Sequence, residues 1–298
     1  MKQGCTLIAT LPNLANAEMV RNVLSCPDIS EARINTGVST LMSVDEVVAT
    51  LKKLSTEYSK RIWVDLKGRQ LRIARWADPR YEAIELNHQV EVVYPAKIYF
   101  RNGGCRNILR TRGNQILVDS PPQEAVGAGQ SVNIIAKELD VIGYLTELDK
   151  QYLEAMSRQE MNGVFASFVE RLEDLSDIAA IMPKAEIVSK IESLKGIELI
   201  TKNRIGTLMA ARDDLYLESG QNYSMLKHLE TIIENDSNAI CASRIFTSLE
   251  KREHVDLADF SDLTLMYNLG YRRFMLCDNI CNYHFNEAIC AWREFLNG

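Results

Sequence analysis

Apolar residues along this chain follow two rhythms that replace one another in turn. Short runs, "TLIATL", "EARIN" and "RIWVDL" early on and "GVFASFV", "AEIVSKI", "GTLMAA", "AICASRI" and "RFMLC" later, each read as a buried strand. Between them lie residues 17–25, 44–58, 171–181, a short stretch from 193, 221–234, 258–269 and 284–296, where apolar positions recur every third or fourth residue. That is the spacing of helices with one face against a core. Strands that alternate with helices pair in parallel through right-handed crossovers. Eight such units predict an α/β protein built as a closed (β/α)8 barrel, the TIM barrel.

One interval breaks the alternation. After "VDLKGRQLR", residues 73–143 carry strand-like, turn-rich sequence with little helical spacing, punctuated by Gly-Gly, Arg-Gly-Asn and Pro-Pro. The expected organisation is a barrel over residues 1–72 and 144–298, with a small lid-like β domain, 73–143, inserted after the third strand.

Composition narrows the function class. A chain of 298 residues, 46% of them apolar, buries a sizeable core. A net charge of -6 argues against nucleic acid or an anionic membrane surface as the main partner. No run approaches the ~20 apolar residues of a membrane span, and the N-terminal segment lacks the form of a secretory signal. The seven cysteines are odd in number and form no CxxC pair, so they read as reduced thiols and the expected location is cytoplasmic. None of the four histidines stands in HxxxH or HxH spacing, so a metal here would be held by oxygens. His228 and His284 lie in helical segments and read as surface or packing residues. Cys277 and Cys281 fall near a strand end without a visible base, which argues against a cysteine nucleophile.

In such a barrel the C-terminal strand ends gather around one mouth. In "SKIES" the extended chain puts Val188, Lys190 and Glu192 on one side. Alone, that pattern reads as a strand running out into solvent. It does not stand alone. Other strand ends contribute Arg33 and Asn35, then Asp65, Lys67 and Arg72, then Arg212 and Asp214, then Ser243 and Arg244. Glu192 and Asp214, from neighbouring strands, could supply the two carboxylates that Mg²⁺ takes from a protein while substrate oxygens and water complete its shell. Lys190 beside that metal, with Arg33 and Arg72 nearby, suits an anionic substrate whose charge grows or moves, as in phosphoryl transfer or enolate formation. No Walker-type glycine loop occurs, which leaves phosphate binding to side chains and metal.

These segments resemble the pyruvate kinase family, in order and through nearly the whole chain. "RINTGVS" is similar to R-x-N-x-S-H, "VDLKGRQLR" to L-D-x-K-G-P-E-I-R, and "VNIIAKELDVIGYLTELDKQYL" to the stretch from V-N-x-P to L-T-x-K-D. "FASFVERLEDL" is similar to A-S-F-V-R, "IVSKIESLKGI" to I-x-K-I-E-x-x-E-G, "MAARDDLYLE" to M-V-A-R-G-D-L-G-V-E, and "ICASRIFTSLE" to I-x-A-T-Q-M-L-E-S-M. The resemblance implies a barrel with a β domain inserted after strand three. It implies Glu192 and Asp214 as ligands of Mg²⁺ or Mn²⁺, Lys190 as the cation on the transferring phosphoryl group and the enolate, and Arg33 as a phosphate contact. Asn35 and Asp65 would match ligands of a monovalent cation such as K⁺, Lys67 and Arg72 would lie on the substrate and nucleotide side, Ser167 would orient Lys190, and Ser243 would stand near the carbon that gains a proton.

The sequence departs from the family pattern at several of these places. Gly37 and Val38 replace the serine and histidine after Asn35, and "GRQLR" carries Arg69 and Gln70 for proline and glutamate. Asp213 stands where a glycine meets the substrate, an extra carboxylate that would repel an anion unless it binds metal or pairs with Arg244, itself a new charge. "MLCDNIC" replaces M-L-S-G-E-T-A, and Ser131 replaces a lysine of the inserted domain. The sequence stops just after the eighth helix, so the family's C-terminal regulatory domain is expected to be absent. Three readings follow. The first is a phosphotransferase that moves the phosphoryl group of phosphoenolpyruvate to ADP or another nucleoside diphosphate. The second is a nucleotide-independent lyase, aldolase or decarboxylase working through a pyruvate-type enolate. The third is a non-catalytic member that binds a small anion. The family also suggests a homodimer through the barrel helices.

Overall fold

A computed structural model describes all residues except 1, 3, 38–39, 76–82, 101–103, 124–126 and 221. Two compact units result, Met1–Leu66 with Leu148–Gly298, and Lys67–Glu147. In chain order the strands are β1 (Thr6–Thr10), β2 (Ile29–Asn35), β3 (Arg61–Leu66), β4 (Ala83–Glu85), β5 (Val90–Phe100), β6 (Gly104–Arg112) and β7 (Gln115–Val118). They continue as β8 (Val132–Val141), β9 (Gly163–Ala166), β10 (Glu186–Ile191), β11 (Thr207–Ala211), β12 (Ile240–Ala242) and β13 (Arg273–Leu276).

The first unit is the expected barrel. Its eight strands close in the order β1, β13, β12, β11, β10, β9, β3, β2, all paired in parallel. Alternation along each strand sends every second side chain inward. Ile8, Trp63, Phe165, Val188, Met209, Ile240 and Met275 meet in this way and fill the interior. Trp63 stacks on Phe165 with ring centroids 4.9 Å apart. Gly163 makes room for that stack, because a Cβ there would lie 3.0 Å from the Trp63 ring. One pleat further along, the same inward faces carry Thr10, Arg33, Asp65, Ser167 and Lys190, so the mouth's polar layer follows directly from the strand period.

The outer helices start where the sequence offers caps. Ser43 and Glu46 form a reciprocal capping box at helix Val44–Tyr58, and Ser193 caps helix Leu194–Lys202 through the Gly196 N–H. A helix at Glu147–Arg158, outside the segments anticipated above, packs Tyr152, Leu153, Ala155 and Met156 inward. Among the described residues no helix is long and apolar enough to cross a membrane. All seven cysteines are free thiols.

The second unit is a five-stranded antiparallel sheet in the order β4, β7, β6, β5, β8. Ile84, Leu86, Ile98, Ile108, Ile116 and Ile134 lie in its own core. The Arg-Gly-Asn turn joins β6 to β7, with Gly113 at φ 61°, a conformation that glycine adopts without a Cβ clash. The first glycine of the expected Gly-Gly turn, Gly103, and Val38 lie outside the described residues.

Candidate active site

Asp65 is the hub of the mouth and is 1% exposed. Its Oδ2 accepts hydrogen bonds from Arg33 Nε at 2.9 Å and Nη2 at 2.5 Å, while its Oδ1 accepts from Lys190 Nζ and Ser167 Oγ, each at 3.4 Å. Lys190 Nζ also donates to Ser167 Oγ at 2.8 Å and lies 3.1 Å from Glu192 Oε1. The other Glu192 oxygen accepts the Phe168 N–H at 2.7 Å. Phe168 adopts φ 50°, a left-handed conformation uncommon for a bulky residue, just after β9. Four strands thus converge on one buried set of ion pairs.

The charges in this set are unequal in their fates. Burial disfavours the charged form of Lys190, but Asp65 and Glu192 outweigh it and hold the ammonium above its ordinary range. Arg33 behaves alike, with Asp65 and Asp278 outweighing burial. Glu192 goes the other way. Burial raises its carboxyl, Lys190 lowers it, Asp214 raises it again, and it ends at about 7. A second acid nearby, Glu218, is pushed up to about 8 by burial, with Glu170 and Asp214 adding to the rise. The acids at this end of the barrel are short of positive charge.

That shortage is the test of whether a divalent cation fits. Glu192 is 2% exposed and Asp214 bears on it electrostatically, so a hard cation between oxygen donors would relieve the cost of ionising both. Among the described residues no three His, Cys, Asp or Glu side chains converge on one point. The remaining coordination would fall to substrate oxygens and water, as Mg²⁺ prefers.

Other expected residues are deployed differently. Asn35 Nδ2 donates to Asp278 Oδ1 at 3.1 Å, and its Oδ1 accepts the Gly37 N–H at 3.0 Å. Arg212 is buried and braces the loop after β12. Its Nε and Nη2 donate to the Ser243 carbonyl, and its Nη1 donates to both Asp262 carboxylate oxygens at 2.7 and 2.9 Å. That loop holds Ser243, Arg244 and Phe246 at φ 65°, 58° and 56°. Asp213 pairs with Arg244 at 2.8 Å in an exposed contact, and Arg244 lies over the Tyr216 ring. Lys67 and Arg72 belong to the second unit. There Lys67 is buried and Arg72 donates to Gln70 Oε1 at 3.0 and 2.6 Å and to the Gly129 carbonyl.

Two residues at the mouth were not anticipated. Thr10, inward on β1, accepts from Arg33 Nη1 at 2.9 Å and donates to the Leu276 carbonyl. Its position two residues after Ile8 was a signal that alternation offered. Asp278, at the start of helix Asp278–Tyr283, takes Arg33 Nη1 on its Oδ2 at 3.1 Å.

The family model for the pyruvate kinase barrel domain matches residues 97–278, more than half of the chain. The chain belongs to the pyruvate kinase family. It is 21% identical to the pyruvate kinase of Borreliella burgdorferi over 290 residues, covering 86% of this chain and 60% of that protein. It is 22% identical to the pyruvate kinase of Hypocrea jecorina over 192 residues, covering 60% of this chain and 36% of that protein. The chain therefore spans less than two thirds of the length of either relative. In this member of the pyruvate kinase family the unusual residues have structural partners. Asp213 meets Arg244, Arg69 lies over the Tyr144 ring within the second unit, and Asp278 meets Arg33.

Proposed function

We propose that the barrel mouth is the active centre of a pyruvate kinase-like, divalent-metal-dependent transferase that stabilises the enolate of a pyruvate-type substrate. The observation that carries this reading is Lys190, buried and charged, 3.1 Å from a Glu192 carboxyl that burial and Asp214 push up to about 7. Glu192 and Asp214 would hold Mg²⁺ or Mn²⁺, which supplies Lewis-acid polarisation of the substrate oxygens. Lys190, fixed by Ser167 and Asp65, places its ammonium where negative charge develops on the enol oxygen. Arg33 faces the phosphoryl group of phosphoenolpyruvate. Ser243 stands on the side where the enolate carbon takes its proton, and Asp213 with Arg244 lies at the rim. A nucleoside diphosphate accepts the phosphoryl group.

A monovalent cation at Asn35 and Asp65 would share the Asp65 carboxylate with Arg33 and Lys190. A homodimer through the barrel helices rests on family analogy. A coupled assay for pyruvate release from phosphoenolpyruvate with ADP and Mg²⁺ tests the transfer. Release that depends on ADP and disappears in Lys190→Met supports it, and release without ADP contradicts it.

A second reading keeps the metal and Lys190 but not the nucleotide: a lyase, aldolase or decarboxylase acting through the same enolate. The Asp278 carboxylate on Arg33 favours it, because the guanidinium that would face a phosphoryl group already carries a counter-ion.

A further inference from the structure

The rim pair of Asp213 and Arg244 links neighbouring strands. β11 and β12 pair through Ala211 and Ala242, and each member of the pair lies two positions beyond its strand end, Asp213 in helix Arg212–Glu218 and Arg244 in the loop after β12. Asp213 directly precedes Asp214, so the pair adjoins a carboxylate assigned to the metal.

Arg244 differs from the other arginines at this end of the barrel in what it leaves open. Arg33 and Arg212 each donate from Nε, Nη1 and Nη2 to groups of the protein. Arg244 donates from Nε alone, to Asp213 Oδ1 at 2.8 Å, and among the described residues its Nη1 and Nη2 meet no acceptor. Its side chain is 44% exposed, and the Tyr216 ring covers one face of the guanidinium with its centroid 4.5 Å away. The Nε bond and the ring fix the plane of the group while the fork of its terminal nitrogens stays open. Such a fork matches the two oxygens of a carboxylate.

Stability does not account for this arrangement. A single exposed ion pair contributes little to a fold. Arg244 stands at φ 58° beside Ser243 at φ 65°, backbone conformations that are costly for residues with a Cβ. The buried Arg212 binds the Ser243 carbonyl and holds the loop in that form. One arginine is thus buried to hold another, exposed, at the rim.

We propose that Arg244 binds the carboxylate of the substrate through Nη1 and Nη2 while its Nε remains on Asp213. The proposal rests on the metal and Lys190 centre described above and deepens it. It names the group that holds the carboxylate of an enol substrate, phosphorylated or not, while Lys190 and the metal act on the enol oxygen.

Calorimetric titration of the full chain in Mg²⁺ with oxalate and with phosphoenolpyruvate tests it. Arg244→Met removes the fork and is expected to weaken both ligands by about tenfold, the range for losing hydrogen bonds to a charged group. Arg244→Lys keeps the charge without the fork and should fall between the two. Arg244→Met combined with Asp213→Asn separates contact from charge balance, because it removes the guanidinium and the carboxylate together. That double variant should remain at least about threefold weaker than the unaltered chain. The rise in Tm with Mg²⁺ alone should persist in all three variants. Affinity in Arg244→Met equal to that of the unaltered chain, or full recovery in the double variant, overturns the proposal and leaves the metal and Lys190 centre standing. Weakening accompanied by loss of the Mg²⁺ response would make Arg244 a support of the metal site and overturns it too. Failure of oxalate to bind the unaltered chain in Mg²⁺ overturns the centre, and the proposal with it.

Discussion

Glu192 is the residue whose protonation reports the state of the site. Its carboxyl ionises near the ordinary range in the unfolded chain and at about 7 in the fold, so the folded form holds an extra proton between those values. Through Glu192, stability therefore falls as pH rises from about 4.5 to about 7, by up to about 3 kcal/mol, and Glu218 carries a further fall up to about 8. A cation that takes the proton's place reverses the loss. Thermal melts should show Mg²⁺ raising Tm more at pH 8 than at pH 6. Glu192→Gln should remove the part of the metal-free pH dependence below about 7, leave the part that Glu218 carries, and remove the Mg²⁺ response. Lys190→Met should cost about 10² to 10³ in turnover, the range for removing one preorganised donor, with a far-UV circular dichroism spectrum like that of the parent. A Lys190→Met chain that turns over at the parent rate would place the chemistry elsewhere. Lys190 and Glu192 were legible because "SKIES" continues the inward face set by Val188. Asp278 was not. Its partner Arg33 is 245 positions away, and only closure of β13 against β1 and β2 brings the two together.

At the scale of elements, the loop after β12 holds three non-glycine residues in the left-handed region within four positions. Each costs of order 1–3 kcal/mol, and the buried Arg212 offsets part of that cost by binding the Ser243 carbonyl and Asp262. Arg212→Met should lower stability by about 2–3 kcal/mol, since Asp262 is partly exposed and keeps some hydration. Calorimetry would register this, and a variant as stable as the parent would remove the brace from the account. The strands were legible because each pairs a two-residue period with an apolar run. The helix Glu147–Arg158 was not, because "ELDKQYLEAMSR" mixes charge into both faces and follows a strand-like segment. Arg212 read as a mouth residue for a related reason. Sequence locates a strand end, but the direction in which a long side chain leaves it depends on the acceptor it finds.

For the whole molecule, the two units carry separate cores. Ile98, fully buried in the sheet unit, belongs to that core and to no barrel contact described above. Ile98→Ala should destabilise the sheet unit by about 2–5 kcal/mol, which hydrogen exchange would localise to β5, β6 and β8. Protection in β10 and β11 should be retained, and equal loss in both units would mean that they unfold as one. The interruption of the helical rhythm after "VDLKGRQLR" announced this unit in the sequence, since a run of turns and strands cannot continue a βα alternation.

The central claim is that Glu192 and Asp214 hold a divalent cation beside Lys190 and that this cation receives a pyruvate-type enolate. Calorimetric titration of oxalate, with and without Mg²⁺, into the unaltered chain and Glu192→Gln tests it most directly. The account predicts binding to the unaltered chain that requires Mg²⁺ and is lost in the variant. Oxalate binding indifferent to Mg²⁺, or undiminished in Glu192→Gln, would contradict it.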